Sequence, residues 1–596
     1  MNEQNIKRAI PAETSFFELS EKFGDISPFR RILSLLRIEK KCMTIVEVTT
    51  VLKNKNDFKC HCIIDDSRRC KSCQNYIKQV NQDGNLYKIL EKKCTKMFFF
   101  SSVIKDPSII TDDDIENEFL GYCVIHSDTL SDKKGKSYKR EYVPESILTR
   151  LEENITGINY GNYNSYVYLE NKKIKINKGV YFSQQNGMTN CCAHAAIKTA
   201  IRAYDDNVSC DEINKILIKS YGEKSEGAVQ EILRLSKGLT PDEMLCAIEE
   251  YSNSSKDLPD ISPFLVTAHD LPIASFIETI YRAIESKIPV ILLLRIPDNL
   301  IAANSFGGHA VSLTGHTFNS HNWCAYGSGY FSVYNTERFL SSYIWCDNYI
   351  VQDDNFGPSY QLPCNFLADY YDYGVSIEKL GLNIASQKRL NKFHSNYPLA
   401  AIVMPPKIIK KITRKLYFVE NIAARYFVEQ IDFFAKNKEL AKIELDEHKI
   451  LFNRFFYYIF KYNRKSKVFI TRSVLTSRKE YLNSSVKSLY DQEEVNKSQL
   501  TNLVFDTIPE YFWLTEISVP ELYWINKAKV GEIIVDFERL GDKNGGISLI
   551  RLPYFLALYP KDEKEYFSFY LKNQLNAYYE ILKKSEGIIR HLKNGE

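Results

Sequence analysis

The sequence has no large excess of charge of either sign. Its 78 lysine and arginine residues against 74 aspartate and glutamate residues leave a formal net charge of +4 in 596 residues. A dedicated nucleic-acid binder usually carries a clear basic excess, so the composition gives no support for a nucleic-acid site. The chain also has no low-complexity tract, and its 44% of hydrophobic residues is typical of a globular protein.

Long apolar segments are missing as well. The run IPVILLL at 288–294 is far shorter than the roughly 20 residues that a membrane-spanning helix needs, so we interpret it as a buried strand. The first residues, MNEQNIKRAIPAETSFFELSEKFG, are charged and polar and contain no apolar stretch of the kind that secretory signals have. We therefore expect a cytoplasmic protein without a membrane span.

None of the fourteen cysteines lies after Cys364. Disulfides that staple a secreted chain of this length would not be confined to one part of it. Free thiols, a metal site or a catalytic thiol explain this distribution better.

Four cysteines lie close together near the amino terminus, as the CxC pair Cys60 and Cys62 and the CxxC pair Cys70 and Cys73. Such a set suits a tetrahedral structural zinc ion, and His61 could replace one thiol; a metal-free surface loop is the alternative. We predict one zinc ion that holds this region together. Metal analysis of protein purified without chelator should then find about one zinc per chain. A metal-free protein of unchanged stability would contradict the prediction.

The chain is too long for one hydrophobic core, and its patterns change twice. Residues 1–175 mix one helical segment with strand-like runs and predict an α+β domain that includes the candidate zinc site. Residues 176–375 have helices first and short β-type runs afterwards. Residues 376–596 alternate amphipathic helical segments with strands and predict a third, α+β, domain.

Helix starts within 176–375 are marked by capping-box spacing. Ser209 with Glu212 has this spacing, and Thr240 with Glu243 repeats it with Pro241 at the first helical position. The pattern predicts three or four helices before the apolar run at 288–294.

The segment SQQNGMTNCCAHAAIKTAIRAYDD runs from a polar loop into a helix, and it places Cys191 and Cys192 at the helix start. Unpaired backbone N–H groups and the helix dipole favour a thiolate there. Gln184 and Gln185 lie upstream, where a side-chain amide can donate to an oxyanion. Two buried packing cysteines are the alternative. The predicted apolar stripe of the helix is Ala193, Ala196, Ile197, Ala200, Ile201 and Tyr204.

A base for this thiol is predicted in the segment SFGGHAVSLTGH. His309 follows a Gly-Gly pair and begins an alternating strand, 118 residues after Cys191. His316 is seven residues further on, and an odd separation in a strand points it to the opposite face. We therefore choose His309 as the base and assign His316 to packing or solvent.

A third group is predicted in YIVQDDNFGPSY, where Asp353 and Asp354 end a strand. An aspartate pair at a strand end is usually only a turn, because aspartate accepts local backbone hydrogen bonds. Following a cysteine helix and a GGHA strand, the pair becomes a candidate for orienting the imidazole.

In this order the three segments resemble the papain-like cysteine peptidase superfamily. Its members carry glutamine, cysteine at a helix start, histidine on a strand and Asn or Asp on the next strand. YIVQDDNFG is similar to the family's strand ending in Asn-Ser-Trp-Gly, which aligns Asp354 with the orienting residue and leaves Asp353 as the alternative. CAHAAI and DDNFGP more closely resemble a poorly characterised bacterial group with CAxxA and DDxxGP motifs.

The resemblance implies an α+β fold, with a papain-like core of a helical lobe and an antiparallel β lobe at 176–375, flanked by amino- and carboxy-terminal α+β domains. It implies hydrolysis of a peptide or isopeptide bond in a protein or peptide substrate, without a catalytic cofactor. Papain-like spacing from Gln185 selects Cys191 as the nucleophile, whereas CAxxA selects Cys192, which we prefer. An acyltransferase, transglutaminase or deamidase, or a non-catalytic papain-fold binding protein, is the alternative.

Overall fold

In the computed structural model, the chain forms two compact units. The described residues are 4–11, 22–52, 88–149, 163–185, 192–220, 238–295, 308–318, 339–367, 399–409, 419–427, 469–484, 497–518, 528–561, 566–570 and 579–580, with short gaps inside several ranges. The first unit comprises Met1–Ile273, Pro289–Thr317 and Asn348–Met404, and the second comprises Ala274–Ile288, Phe318–Asp347 and Pro405–Glu596. The division into three domains stays a prediction.

The first unit begins with a seven-stranded antiparallel sheet and one helix. The strands occur in the order β1-β2-β3-β4-β5-β7-β6. Their bounds are β1 Gln4–Pro11, β2 Thr44–Leu52, β3 Lys88–Phe100, β4 Phe119–Ser131, β5 Ser137–Leu148, β6 Tyr163–Leu169 and β7 Lys172–Phe182, and helix α1 is Ser27–Glu39.

Alternating apolar residues explain why both faces of this sheet are buried. In the run KMFFF of β3, Met97 and Phe99 point to one face and Phe98 and Phe100 to the other. The apolar side of α1, including Phe29, packs with the first face. Helix α1 is thereby fixed on the sheet.

The second sheet of this unit has the strand order β13-β12-β10-β9-β14-β8. The strands are β8 Phe264–Thr267, β9 Val290–Arg295, β10 Gly308–Phe318, β12 Cys346–Asp353, β13 Gly357–Pro363 and β14 Leu399–Val403. The accompanying helices are α2 Cys192–Ile201, α3 Cys210–Ser220 and α4 Pro241–Ser254. The strand predicted in IPVILLL is confirmed as β9, whose first residues are fully buried.

The capping box at the start of α4 is confirmed. Thr240 accepts a hydrogen bond from the backbone N–H of Glu243, and the Glu243 carboxylate accepts one from the backbone N–H of Thr240. Pro241 occupies the first helical turn. Ser209, the cap predicted before α3, lies outside the described residues.

The second unit contains a mostly antiparallel sheet in the order β11-β15-β16-β18-β19-β20-β21, with β17 and β22 as a separate pair. The strands are β11 Phe339–Ser341, β15 Phe469–Ser477, β16 Tyr511–Ser518, β17 Ala528–Lys529, β18 Gly531–Val535, β19 Ile547–Leu552, β20 Phe555–Leu558, β21 Phe567–Tyr570 and β22 Tyr579–Glu580. The helices are α5 Ile273–Glu285, α6 Arg478–Ser484 and α7 Lys497–Thr507.

A row of four buried charged residues crosses this sheet. Arg472, Glu516, Glu532 and Arg551 are direct cross-strand neighbours on β15, β16, β18 and β19. Arg472 donates to Glu516 at 2.6 Å, and Arg551 donates to Glu532 at 3.2 Å. The two glutamates are neighbours of like charge, and Lys529 donates to both of them, so that each buried carboxylate has two cationic partners. Buried charges need partners of this kind.

Helices together with mainly antiparallel sheets make the fold α+β, as predicted. The papain-like core and its flanking domains remain predictions. Among the described residues, no helix combines the length and the apolar character needed to cross a membrane.

Candidate active site

Cys192 is the first residue of helix α2, where the sequence predicts the nucleophile. The predicted apolar stripe of this helix is buried. Ser312 of β10 donates a hydrogen bond to the Ala196 carbonyl at 2.6 Å, which ties the helix to that strand. The Cys192 sulfur consequently lies 4.0 Å from the Gly308 carbonyl oxygen, next to the predicted base. Cys191 lies outside the described residues.

His309 stands on β10 between the thiol and two carboxylates. Its Nε2 is 3.2 Å from Asp353 Oδ2 and 3.7 Å from Asp354 Oδ1. Burial by itself lowers the pKa of His309, but hydrogen bonds with Asp353 and Cys192 and the charges of both aspartates outweigh it and raise the pKa to about 10. The imidazole is therefore protonated at neutral pH.

Asp353 has the closer carboxylate. Its Oδ1 accepts hydrogen bonds from the backbone N–H groups of Asn355 at 2.8 Å and Phe356 at 3.3 Å. Burial raises the pKa of Asp353, but the hydrogen bond with His309, the imidazolium charge and these two amides together lower it. Asp353 is therefore an anion that the turn itself holds against His309.

Asp354 has a different environment although it adjoins Asp353. Its side chain is 3% exposed, and neither side-chain oxygen accepts a hydrogen bond from another described residue. Burial raises the pKa of Asp354; the charge of His309 opposes this and that of Asp353 adds to it, so that the pKa is about 7. Alignment with the papain-like motif points to Asp354, whereas the hydrogen bond to the imidazole goes to Asp353.

A β-bulge explains why the motif alone does not decide between the two aspartates. Val351 pairs with Tyr360 and Asp353 with Gly357, so that β12 contributes one residue between the pairs and β13 contributes two. An extra residue of this kind re-aims the side chains beside it. The register that brings Asp353 to His309 therefore depends on β13.

Asp353→Asn is expected to lower turnover more than Asp354→Asn. Asparagine preserves the shape but removes the anion that accepts the imidazolium hydrogen bond, and such bonds are worth about 1.5–3 kcal/mol. This corresponds to roughly a 10- to 100-fold loss of rate. Steady-state kinetics of the two variants measures the difference. A larger loss of turnover in Asp354→Asn would indicate that Asp354, and not Asp353, orients the imidazole.

Asp354→Asn is expected instead to change how stability depends on pH. The pKa of Asp354 is raised in the folded state from 3.8 to about 7, so between these values the folded chain binds more protons than the unfolded chain. The free energy of unfolding therefore falls as the pH rises through this window. Thermal unfolding across it should show a smaller fall in Asp354→Asn, and the same fall in both proteins would contradict the assignment.

Gln185, the predicted oxyanion donor, lies beside the same turn. Its Nε2 donates to Asn355 Oδ1 at 3.3 Å, and Asn355 Nδ2 is 3.4 Å from His309 Nε2. Asn355 was missed as a site residue by sequence reasoning, although it is the third residue of the DDNFGP motif. It lies next to both the Gln185 amide and the imidazole.

His316 lies on β10 away from this cluster of side chains. It is fully buried, and its Nδ1 is 3.4 Å from the Thr317 carbonyl oxygen. These observations fit the packing role that strand alternation predicts for it.

Ligand atoms of His309, Asp353 and Asp354 lie within 4.8 Å of one another, so this cluster could also hold a metal ion. The predicted zinc ligands Cys60, Cys62, Cys70 and Cys73 lie outside the described residues, and the zinc site stays a prediction.

Residues 176–344 match the model of a Peptidase_C39-like family. This match supports a cysteine peptidase-like superfamily for the segment. It includes Gln185, Cys192 and His309 and ends before the aspartate pair. No curated protein and no solved structure matches the chain. The bacterial CAxxA and DDxxGP group stays a prediction.

Proposed function

We propose that this protein is a thiol hydrolase that cleaves a peptide or isopeptide bond, with a Cys-His-Asp triad of Cys192, His309 and Asp353. The observation that carries the proposal is geometric: His309 Nε2 lies 3.2 Å from Asp353 Oδ2, and the Cys192 sulfur lies 4.0 Å from the carbonyl oxygen of Gly308, the residue directly before His309. A thiol paired with an imidazolium is held as the nucleophilic thiolate. The match to a peptidase-like family over residues 176–344, which include Cys192 and His309 but not Asp353, supports this chemistry.

In the first half of the reaction the Cys192 thiolate attacks the substrate carbonyl carbon, and the carbonyl electron pair moves to oxygen. The Gln185 side-chain amide donates to this oxyanion. Because Nε2 of His309 faces Asp353, Nδ1 is left to face the thiol and to protonate the leaving amine as the C–N bond breaks. The product of this half is a thioester on Cys192 and a free amine.

In the second half a water molecule attacks the thioester carbonyl carbon, and His309 accepts the proton that the water loses. The C–S bond then breaks, the carboxylic acid leaves, and the thiolate and imidazolium are restored. Asp353 orients the ring and stabilises its positive charge in both halves without giving up its own charge.

Mass spectrometry of cell-lysate proteins, incubated with the wild type and with Cys192→Ala, tests the proposal. New chain termini that appear only with the wild type are the expected result. A mass change without chain cleavage would indicate acyl transfer, transglutamination or deamidation instead, and no covalent change would favour a binding protein. Loss of cleavage in the presence of a chelator would indicate that a metal ion is needed, either on His309, Asp353 and Asp354 or at the predicted zinc site. The cytoplasmic location and the protein or peptide substrate belong to this proposal.

A further inference from the structure

The β-bulge that brings Asp353 to His309 contains strained backbone. Gly357, at the end of the turn, has φ +118°, and Ser359, inside the bulge, has φ +52° although it is not glycine. Glycine adopts a positive φ readily, but in serine this conformation costs energy and persists only where the surroundings impose it. The surroundings of the bulge therefore help to determine where the Asp353 carboxylate points.

Part of these surroundings is helix α1, which lies outside the segment that matches the peptidase-like family. Arg31 of this helix donates to the Ser359 carbonyl oxygen at 2.8 Å and to the Pro358 carbonyl oxygen at 3.4 Å. These are the two carbonyls of the bulge. One guanidinium group thus satisfies both of them, which suits its fixed fork of donors.

The same helix also approaches the turn too closely for any residue but glycine at position 357. A Cβ atom at Gly357 would lie 2.8 Å from Arg31 Cβ and 3.0 Å from Pro28 Cα. Contacts of this length do not occur without a shift of one partner. Helix α1 therefore touches the turn through backbone as well as through the Arg31 side chain.

The turn connects the contact with helix α1 to the Asp353 carboxylate beside the imidazole. Asp353 is pinned by the backbone N–H groups of Asn355 and Phe356, which precede Gly357 directly. A displacement of the bulge would move these two amides and with them the carboxylate 3.2 Å from His309 Nε2. The position of Asp353 is consequently coupled to Arg31 through consecutive backbone groups.

The amino-terminal sheet contacts two further parts of the site. Arg202, just after α2, lies 3.4 Å from Glu145 of β5. Gln184, beside the predicted oxyanion residue, accepts a hydrogen bond from the Val143 backbone N–H at 2.8 Å. Residues that precede the family match thus contact three parts of the site. These parts are the end of helix α2, the segment of the predicted oxyanion donor, and the turn that carries Asp353.

We propose that Arg31 is a positioning residue of the active site, through which the amino-terminal region aims Asp353 at His309. The inference rests on the proposed Cys192–His309 pair. Without Arg31 the bulge relaxes, the contact of Asp353 with the imidazolium weakens, and the thiolate–imidazolium pair is formed by a smaller fraction of molecules. The thiol stays in place because Cys192 is on another element, α2.

Alkylation of Cys192 by iodoacetamide, followed by peptide mapping, tests this without a substrate. At mildly acidic pH only the paired thiolate reacts, whereas at alkaline pH the thiolate forms without the imidazolium. The measured quantity is the Cys192 alkylation rate at mildly acidic pH divided by the rate at alkaline pH. In Arg31→Ala this ratio should fall about tenfold, as expected when a hydrogen bond between charged groups weakens. Arg31→Lys should restore part of this ratio because lysine keeps a charged donor, and Arg30→Ala, at an exposed neighbouring position, should leave it unchanged.

An unchanged ratio in Arg31→Ala would overturn the inference while leaving the proposed function intact. An equal loss of both rates would overturn it too, because it would indicate a general disturbance of the site. If wild-type Cys192 reacted no faster at acidic pH than in His309→Ala, the thiolate–imidazolium pair would not exist, and the proposed function would fall together with the inference.

Discussion

Replacing Cys192 with alanine is expected to abolish turnover while the protein still folds. Alanine keeps the helix start, since it is a good helix former, but removes the only atom that can form the thioester. In other hydrolases the loss of a covalent nucleophile lowers kcat on the order of 10⁶-fold. Steady-state kinetics on the peptide identified by lysate mapping should therefore show no activity above background.

Two further variants make this result specific. Cys246→Ala, in helix α4, should retain wild-type turnover and controls for the loss of a partly buried thiol. Cys191→Ala should also retain turnover, because the CAxxA pattern and the contact with Gly308 both favour Cys192. If Cys191→Ala is inactive and Cys192→Ala is not, the papain-like spacing from Gln185 has identified the nucleophile correctly and our assignment is wrong.

Local patterns in the sequence predicted much of the local structure around the candidate site. A polar loop before an apolar stripe placed a cysteine at a helix start, and the structure begins α2 at Cys192. Alternation along a strand separated His309 from His316, and only the first lies beside the carboxylates. These features depend on neighbouring residues, which is why the sequence alone indicates them.

The choice of the acid could not be predicted in this way. The motif offers Asp353 and Asp354 as neighbours, and their order depends on a bulge whose extra residue lies on β13. That bulge is in turn held by Arg31, which is 328 residues away from Ser359 in the chain. No local pattern contains such a contact, because it exists only after α1 has packed on its sheet.

The division of the chain depends on contacts of the same kind. Helix α5 follows β8 directly in the sequence, and strand β9 follows the helix. Nevertheless almost all of α5 belongs to the second compact unit, whereas both strands belong to the first. In the second unit Glu285 at the end of α5 accepts a hydrogen bond from Arg472 of β15 at 2.7 Å. Composition and helical periodicity carry no information about this partner.

His309→Ala is expected to lower turnover by about 10² to 10⁴-fold, with a larger effect on kcat than on KM. The imidazole stabilises the thiolate and then protonates the leaving amine, and both roles accelerate the chemical steps rather than hold the substrate. His316→Asn is the matched control on the same strand. Because His316 is fully buried, its variant should lose activity only in proportion to any loss of folded protein, which thermal unfolding measures.

The pH dependence of the wild type gives this prediction its sharpest form. The pKa of His309 is raised from 6.5 to about 10, so the stabilisation by the ion pair is fully present below 6.5 and is lost as the pH rises toward 10. Turnover should therefore decline at alkaline pH as the imidazolium loses the proton that the leaving amine needs. In His309→Ala both the alkaline decline of residual activity and the decline of stability over the same range should be reduced.

Activity that survives in His309→Ala but not in His316→Asn would show that His316 is the base. Activity in both variants, with Cys192 still essential, would require a mechanism without a histidine base.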